Sequence, residues 1–208
     1  MRIIIFFLSF IICGWTHGQV ANEKTIFLDG NDKQVTEEAF NKIQMEFIAI
    51  NDSLNIHKAV TNRKESGKLS NYNKIKEYLS KIVKLDSTKY LVIIFHPGKD
   101  EFNSGGSQDL SFIKKKNDDL KQMIAKKGDA ELIYIYKSPN GLEKQKTIID
   151  WHQDPDKIIE HTFFKFHYPG SSYTVISPDG SYSSYFGEFS KDFVINTLTE
   201  IKKKKKIK

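Results

Sequence analysis

Cysteine is almost absent from this chain of 208 residues, whose only cysteine is Cys13. Cys13 lies in an N-terminal segment with the composition of a secretory leader, so the chain left after leader removal would contain no cysteine. Such a chain forms no disulfide and offers no thiolate as a nucleophile or metal ligand. Its stability must come from a hydrophobic core, which a chain of about 190 residues is long enough to build.

The body of the chain also lacks an excess of charge of one sign. The net charge is +6, but six lysines lie between Lys202 and Lys208, and Arg2 lies in the leader. The remainder contains 25 Lys and Arg against 26 Asp and Glu. We therefore expect no specific nucleic-acid binding. The basic tail, residues 203–208, predicts at most a weak electrostatic contact with anionic surfaces.

Long hydrophobic runs are missing apart from Ile3–Cys13. This run is shorter than the roughly 20 residues that a membrane-spanning helix needs. It follows a positively charged start and precedes Thr16 and Gly18, two small residues at the −3 and −1 positions of a cleavage site. We predict a signal peptide of residues 1–18, cleavage between Gly18 and Gln19, and export to the periplasm or the exterior with no membrane span. A retained interfacial anchor is the alternative.

The sequence also lacks motifs that indicate a particular reaction. The segment Gly105-Gly106-Ser107 lacks the Gly-Lys-Ser/Thr ending of a phosphate-binding loop, and no Gly-x-Ser-x-Gly nucleophile elbow occurs. The histidines of the C-terminal half contain no i, i+4 pair of the kind that binds zinc on a helix. We therefore predict no cofactor and no metal ion. We expect Trp151 to be a packing residue rather than a platform for substrate.

Apolar periodicity predicts an N-terminal extension, residues 19–88, with one strand and two helices. Thr25–Leu28 is the strand candidate, and Thr36 is a good N-cap for the first helix. The apolar residues of this helix recur at spacings of three and four, as on one buried helical face: Phe40, Ile43, Phe47, Ile50 and Leu54. A loop that can include an edge strand at 57–61 follows, and then a second helix at 71–84.

Residues 89–202 predict an α/β domain. Tyr90–Phe95 is an apolar run typical of a strand buried on both faces, and it leads through a loop to a helix from Gln108 to Lys127. The remaining predicted elements follow in chain order: a strand at 132–136, a short helix capped by Asp154, hairpin strands at 173–176 and 182–186, and a last helix capped by Ser190. The order β-α-β-α-β-β-α favours parallel pairing of the first three strands, with the hairpin as an antiparallel edge.

Three segments of this region resemble the thioredoxin-like superfamily, in particular the exported redoxin-type proteins of Bacteroidetes. They are Tyr90–Gly98, Ser171–Gly180 and the last helix, which follows Gly187. The resemblance implies a thioredoxin-like core, with a central mixed sheet flanked by helices. The N-terminal strand and two helices would then be an extension to that core.

The redox residues of that superfamily are missing from this chain. Its redox members carry cysteines at the start of the first core helix, which corresponds here to residues 99–108 and contains no cysteine. The position of the family's cis-proline corresponds to Ser171, and the nearest proline, Pro169, lies two residues away. The resemblance therefore implies the fold and argues against thiol chemistry.

Two functional hypotheses follow. The first is an exported, non-catalytic module that binds an unidentified protein or peptide at the strand–loop–helix junction. The alternative is an enzyme with non-thiol chemistry around His96–Ser107, and an aromatic-filled junction would favour the first while a polar cleft would favour the second. Both use the same candidate surface: His96, Asp100, Asn103, Ser104, Gly105, Gly106, Pro169 and Ser171.

Overall fold

The structure is a computed structural model that describes residues 24–99 and 109–206. The predicted leader and most of the loop after Tyr90–Phe95 lie outside these residues. In the described part the strands are β1 (Ile26–Leu28), β2 (Gln34–Val35), β3 (Phe47–Asn51), β4 (Ile56–Val60), β5 (Lys64–Lys68), β6 (Tyr90–His96), β7 (Ala130–Tyr136), β8 (Trp151–Gln153), β9 (Ser172–Ile176) and β10 (Ser181–Tyr185). The α-helices are α1 (Glu37–Phe40), α2 (Tyr72–Leu79), α3 (Leu110–Ala125), α4 (Ile158–Phe163) and α5 (Lys191–Lys206). The protein is thus a mixed α/β structure.

A small sheet in the order β2-β1-β4-β3 contains the N-terminal strands. The prediction of a long helix through Leu54 is wrong: Thr36 caps α1 as expected, but α1 ends at Phe40 and residues 47–51 form β3. The apolar spacing of this stretch fits both periods. Antiparallel pairing of β3 with β4 satisfies its backbone groups and decides between them.

The stretch between β3 and α2 contains more strand than the sequence predicts. The expected edge strand at 57–61 is β4, which is an inner strand between β1 and β3. β5 was not predicted, and its five residues are all exposed. It forms the outer strand of the larger sheet by pairing with β10. Helix α2 confirms the second predicted helix, although it ends earlier, at Leu79.

The larger sheet has the order β5-β10-β9-β6-β7-β8. Strands β6, β7 and β8 are parallel, whereas β9 is antiparallel to β6 and to β10. The prediction that the first three strands are parallel is therefore wrong for the third one, β9. The β9–β10 turn places the two hairpin strands side by side. The third parallel strand is β8, which the sequence does not predict because it is only three residues long and lacks a clear apolar pattern.

Two hydrophobic layers cover this sheet, because alternate side chains of β6 point to opposite faces. Leu91, Ile93 and Phe95 pack with α2 and α4, and Val92 and Ile94 pack with α3 and α5. All seven residues of β6 are buried, as the sequence predicts. β6 is therefore the central strand of the fold.

Candidate functional site

Three connections meet at one end of the larger sheet. Phe95 of β6 is opposite Ser172 of β9, so residues 96–99 and 169–171 lie at the same sheet edge. Residues 187–190, which follow β10, reach the same edge because β10 runs in the direction of β6. We call these three connections the site edge. Helix α5 begins there because it follows residues 187–190 directly, and α3 runs from this edge back to the start of β7.

His96 ends β6 and is turned into the protein. Its side chain is only 7% exposed, and its Nε2 lies 2.9 Å from the carbonyl oxygen of Asn140. A carbonyl oxygen only accepts, so Nε2 carries the hydrogen. The imidazole ring packs edge-on against Trp151, with ring centres 5.9 Å apart. The predicted surface residue His96 therefore forms part of the packing behind the site edge.

An aromatic cluster fills the space behind His96. The ring of Tyr134 lies 5.0 Å from that of Trp151, and the Tyr134 hydroxyl donates to Oδ1 of buried Asn117 over 2.7 Å. Burial raises the pKa of Tyr134 above its ordinary value. Trp151 is 8% exposed, which confirms that it is a packing residue. Among the described residues, the part of the junction behind His96 is therefore aromatic and buried, while loop residues 100–108 lie outside them.

Pro169 and Ser171 are half-buried in the connection before β9. Between them, Gly170 adopts a positive φ of 70°, and a Cβ there would lie 2.8 Å from Cγ of Glu188. The backbone N–H of Gly187 donates to the Ser172 hydroxyl over 2.9 Å. The connections at 169–171 and 187–190 are therefore packed against each other.

The other five residues of the predicted surface belong to the loop between β6 and α3. Asp100, Asn103, Ser104, Gly105 and Gly106 lie outside the described residues. The structure thus brings His96, Pro169 and Ser171 to one edge, with His96 buried.

A groove at the site edge contains residues that the sequence analysis missed. We call it the edge groove, and it is lined by Arg63, Lys116, Glu188, Phe189, Ser190, Lys191, Asp192 and Phe193. Six of these eight residues belong to the connection after β10 and to the start of α5. The others come from α3 and from the β4–β5 connection, which are distant in sequence.

Arg63 is fixed at one wall of the edge groove. Its Nε donates to the carbonyl oxygen of Phe186 over 2.8 Å, and a terminal nitrogen donates to the carbonyl oxygen of Glu188. The guanidinium lies 4.6 Å from the ring centre of Tyr185 and 5.4 Å from that of Phe47. Since Phe47 belongs to β3, Arg63 also joins the small sheet to the larger one.

The charges of the edge groove are unevenly neutralised. Lys191 pairs with Asp119 at 2.7 Å. Neither Lys116 nor Arg63 forms an ion pair with a carboxylate in the described part of the chain. The Lys116 ammonium lies 5.5 Å from the ring centre of Phe112, where a cation is attracted to the aromatic face. Lys116 is therefore an exposed cation of the groove, and Arg63 adds a positive charge whose hydrogen bonds go to backbone carbonyls, beside the carboxylates of Glu188 and Asp192.

Two phenylalanines are exposed beside these cations. Phe112 of α3 is 49% exposed and Phe193 of α5 is 45% exposed. Both are apolar residues outside the buried faces of their helices, and this is the sequence signal that could have identified them. Exposed aromatic rings beside cations are typical of interaction surfaces.

The acidic residues near the end of β8 have a structural role. The Asp154 carboxylate accepts the backbone N–H groups of Ile159 and Glu160 at 3.0 and 2.8 Å, so it caps the first turn of α4. The predicted start of this helix at Pro155 is wrong, because Pro155–Lys157 form a 3-10 turn and α4 begins at Ile158. Burial raises the pKa of Asp154, although these two bonds act in the opposite direction. Glu160 pairs with Lys137 at 2.7 Å. These groups hold the start of α4.

Residues 24–99 and 109–206 contain neither a metal-binding cluster nor a helix suited to span a membrane. No group of three or more His, Cys, Asp or Glu side chains is arranged there to hold a metal ion. No helix in that part of the chain has the length and apolar composition needed to cross a membrane.

The sequence matches no protein-family model and no curated protein.

Proposed function

We propose that the protein is an exported, non-catalytic module with a thioredoxin-like domain that binds an extended segment of another protein in the edge groove. The order of elements from β6 to α5 supports the domain assignment. It includes strand, helix, strand, helix, a two-stranded hairpin and a final helix, with a mixed sheet covered by helices on both faces. The added strands β5 and β8 extend this sheet at its two sides.

The buried junction supports a binding function over an enzymatic one. The alternative enzyme would use His96 as a reacting group, but its ring is buried against Trp151 and its Nε2 is bonded to the Asn140 carbonyl. A general base must reach the proton that it abstracts. The absence of cysteine after Cys13 removes thiol chemistry as a further option.

The observation that carries the proposal is that Lys116 and Arg63, which have no carboxylate partner among the described residues, lie close to exposed rings: Phe193 lines the edge groove and Phe112 lies beside it. Lys116 and Arg63 favour a carboxylate, and Phe112 and Phe193 favour an apolar or aromatic side chain. The groove is open rather than enclosed, which suits a peptide better than a small molecule. The expected ligand is an extended segment with an acidic residue close to an apolar one.

Selection from a library of short random peptides tests this proposal. Peptides that bind the immobilised protein should be enriched in acidic residues next to aromatic or aliphatic ones. Lys116→Glu and Phe193→Ser should each weaken their binding about tenfold or more, as expected for central interface residues. Isothermal titration with one selected peptide gives the affinities.

Matched controls lie away from the groove. Lys126→Glu reverses a charge at the other end of α3, and Ile48→Ser removes an exposed apolar side chain from β3. Both should leave peptide affinity unchanged. Failure to enrich any sequence, or binding that is indifferent to Lys116→Glu and Phe193→Ser, would contradict the proposal.

A further inference from the structure

Helices α3 and α5 lie side by side and run in the same direction. Near the start of α5, Lys191 pairs with Asp119 in α3 at 2.7 Å. Eleven residues further along α5, Nζ of Lys202 donates to the carbonyl oxygen of Lys127 over 2.9 Å and also contacts Asp129. Contacts that advance together along both helices define a parallel pair. Their C-terminal ends therefore meet at the end of the molecule opposite the site edge.

Exposed lysines cluster where these two helices end. Lys126 and Lys127 follow α3, and Lys203 and Lys204 lie in the last turns of α5; all four are exposed. We call these four residues the basic pole. None of them forms an ion pair within the described part of the chain. The nearby Asp129 carboxylate is already paired with Lys202.

Three further lysines follow Lys204 in the sequence. Lys205 and Lys206 continue α5, and Lys208 follows. The structure changes the expected basic tail in two ways. Two lysines that follow α3 join it, and α5 continues through Lys206 instead of ending near Lys202. The four lysines of the basic pole are thus held on a folded surface.

We propose that the basic pole is a binding site for anionic lipid headgroups at a membrane surface. It consists of lysines, which act as point charges and need no bidentate geometry, as suits a diffuse layer of lipid phosphates. The ring of Tyr90 is covered by the Lys202 ammonium at 5.2 Å from its centre, and Tyr90 is only 5% exposed. The pole therefore offers no aromatic platform from Tyr90 on which a nucleic-acid base could stack.

Vesicle binding by the protein beginning at Gln19 tests this inference. Vesicles of phosphatidylglycerol and phosphatidylcholine should bind it at low salt, while vesicles of phosphatidylcholine alone should not. The double variant Lys126→Gln/Lys127→Gln should lower the partition coefficient by roughly 25-fold, since each lysine contributes about fivefold near an anionic surface. Lys203→Gln/Lys204→Gln should have a similar effect, and added salt should abolish binding.

The control variant Lys144→Gln/Lys165→Gln removes two exposed lysines elsewhere and should bind like the parent. Thermal melts of all variants check that the fold is kept. If only Lys203→Gln/Lys204→Gln weakens vesicle binding, Lys126 and Lys127 do not contribute. The binding site would then be the C-terminal lysines alone, which would overturn the basic pole as defined here. Binding to heparin or DNA with none to anionic vesicles would overturn the lipid assignment in favour of a soluble polyanion. Absence of binding to all three would overturn the inference altogether.

Discussion

Asp179 shows how a single residue organises the β9–β10 turn. Its carboxylate accepts hydrogen bonds from the Ser177 hydroxyl, and from the backbone N–H and the hydroxyl of Ser181 at 3.2 and 3.1 Å. Lys68 of the outer strand lies 3.5 Å away. The Ser177 hydrogen bond is the main cause that holds the pKa of Asp179 well below its ordinary value. The ionised carboxylate is therefore stabilised in the folded state.

We predict that Asp179→Asn lowers the free energy of unfolding at pH 7 by about 1 kcal/mol, a modest value because the side chain is partly exposed. A carboxylate with a depressed folded pKa stabilises the fold above its unfolded pKa of about 3.9, and this contribution is lost as the pH falls toward the folded pKa. The difference between parent and variant should therefore shrink below about pH 4. Urea unfolding at several pH values measures it.

A control for this measurement is Asp52→Asn, which changes an exposed aspartate outside the hairpin. Its effect should be small at every pH. If the difference in the free energy of unfolding between Asp179→Asn and the parent stays constant down to acid pH, the stability of the turn does not depend on ionised Asp179.

Residues with local partners are the ones that the sequence predicts well. Thr36 accepts the backbone N–H of Ala39 three residues later, so its role as the cap of α1 is visible in the sequence. Asp154 caps α4, but through bonds five and six residues later, past a 3-10 turn that the sequence does not predict. Arg63 bonds to carbonyl groups more than 120 residues away. Its role in the edge groove depends on the arrangement of two sheets, and no local pattern contains that information.

At the scale of secondary-structure elements, the pairing of β5 with β10 depends on a glycine. Gly67 lies opposite Tyr182, and a Cβ on Gly67 would approach Cε1 of the Tyr182 ring to 2.8 Å. That ring also packs edge-on against Phe163, and its hydroxyl donates to Glu65 over 2.7 Å. The missing side chain of Gly67 leaves room for the ring that attaches β5 to the sheet.

We predict that Gly67→Ala destabilises the protein by about 1–2 kcal/mol, because the added methyl group must displace the Tyr182 ring. The neighbouring change Ser66→Ala removes only an exposed hydroxyl bonded to Ser183 and should cost less than about 0.5 kcal/mol. Denaturant midpoints compare the two variants. In the Tyr182→Ala background, where the ring is absent, Gly67→Ala should lower the free energy of unfolding much less than it does in the parent. If Gly67→Ala has the same effect in both backgrounds, the steric explanation is wrong.

The sequence best predicts elements whose apolar pattern fits either a helix or a strand, but not both. The uniformly apolar β6 and the hairpin with Pro178-Asp179-Gly180 are both confirmed by the structure. The stretch from Phe40 to Leu54 fits helical and strand periods at once, and only its pairing with β4 distinguishes them. Such pairing is a tertiary interaction, so periodicity alone leads to the wrong element here.

At the scale of the whole molecule, we predict that the mature protein begins at Gln19 and contains no titratable thiol. The short apolar run and the small residues Thr16 and Gly18 motivate the cleavage site, and Cys13 is removed with the leader. Intact-mass analysis of protein from its native host, with thiol titration under denaturing conditions, measures both. Full-length protein in the cytosolic fraction would contradict export.

The parallel arrangement of α3 and α5 separates the two proposed surfaces. Lys116 lies ten residues before Lys126, and Phe193 lies ten residues before Lys203, so the edge groove and the basic pole are about 15 Å apart along the helix axes. A protein attached to a membrane by the basic pole would present the edge groove away from the lipid. Binding of a peptide and of vesicles should therefore be independent of each other.

The burial of Trp151 has a practical consequence for spectroscopy. The chain contains two tryptophans, Trp15 in the predicted leader and Trp151, so the mature protein would contain a single indole. Its fluorescence would report on one place only, the cluster with His96 and Tyr134 behind the site edge. Emission from this buried indole would be at short wavelength, and any event that opens the junction to water would shift it to the red. The protein thus carries its own optical probe of the packing behind the site edge.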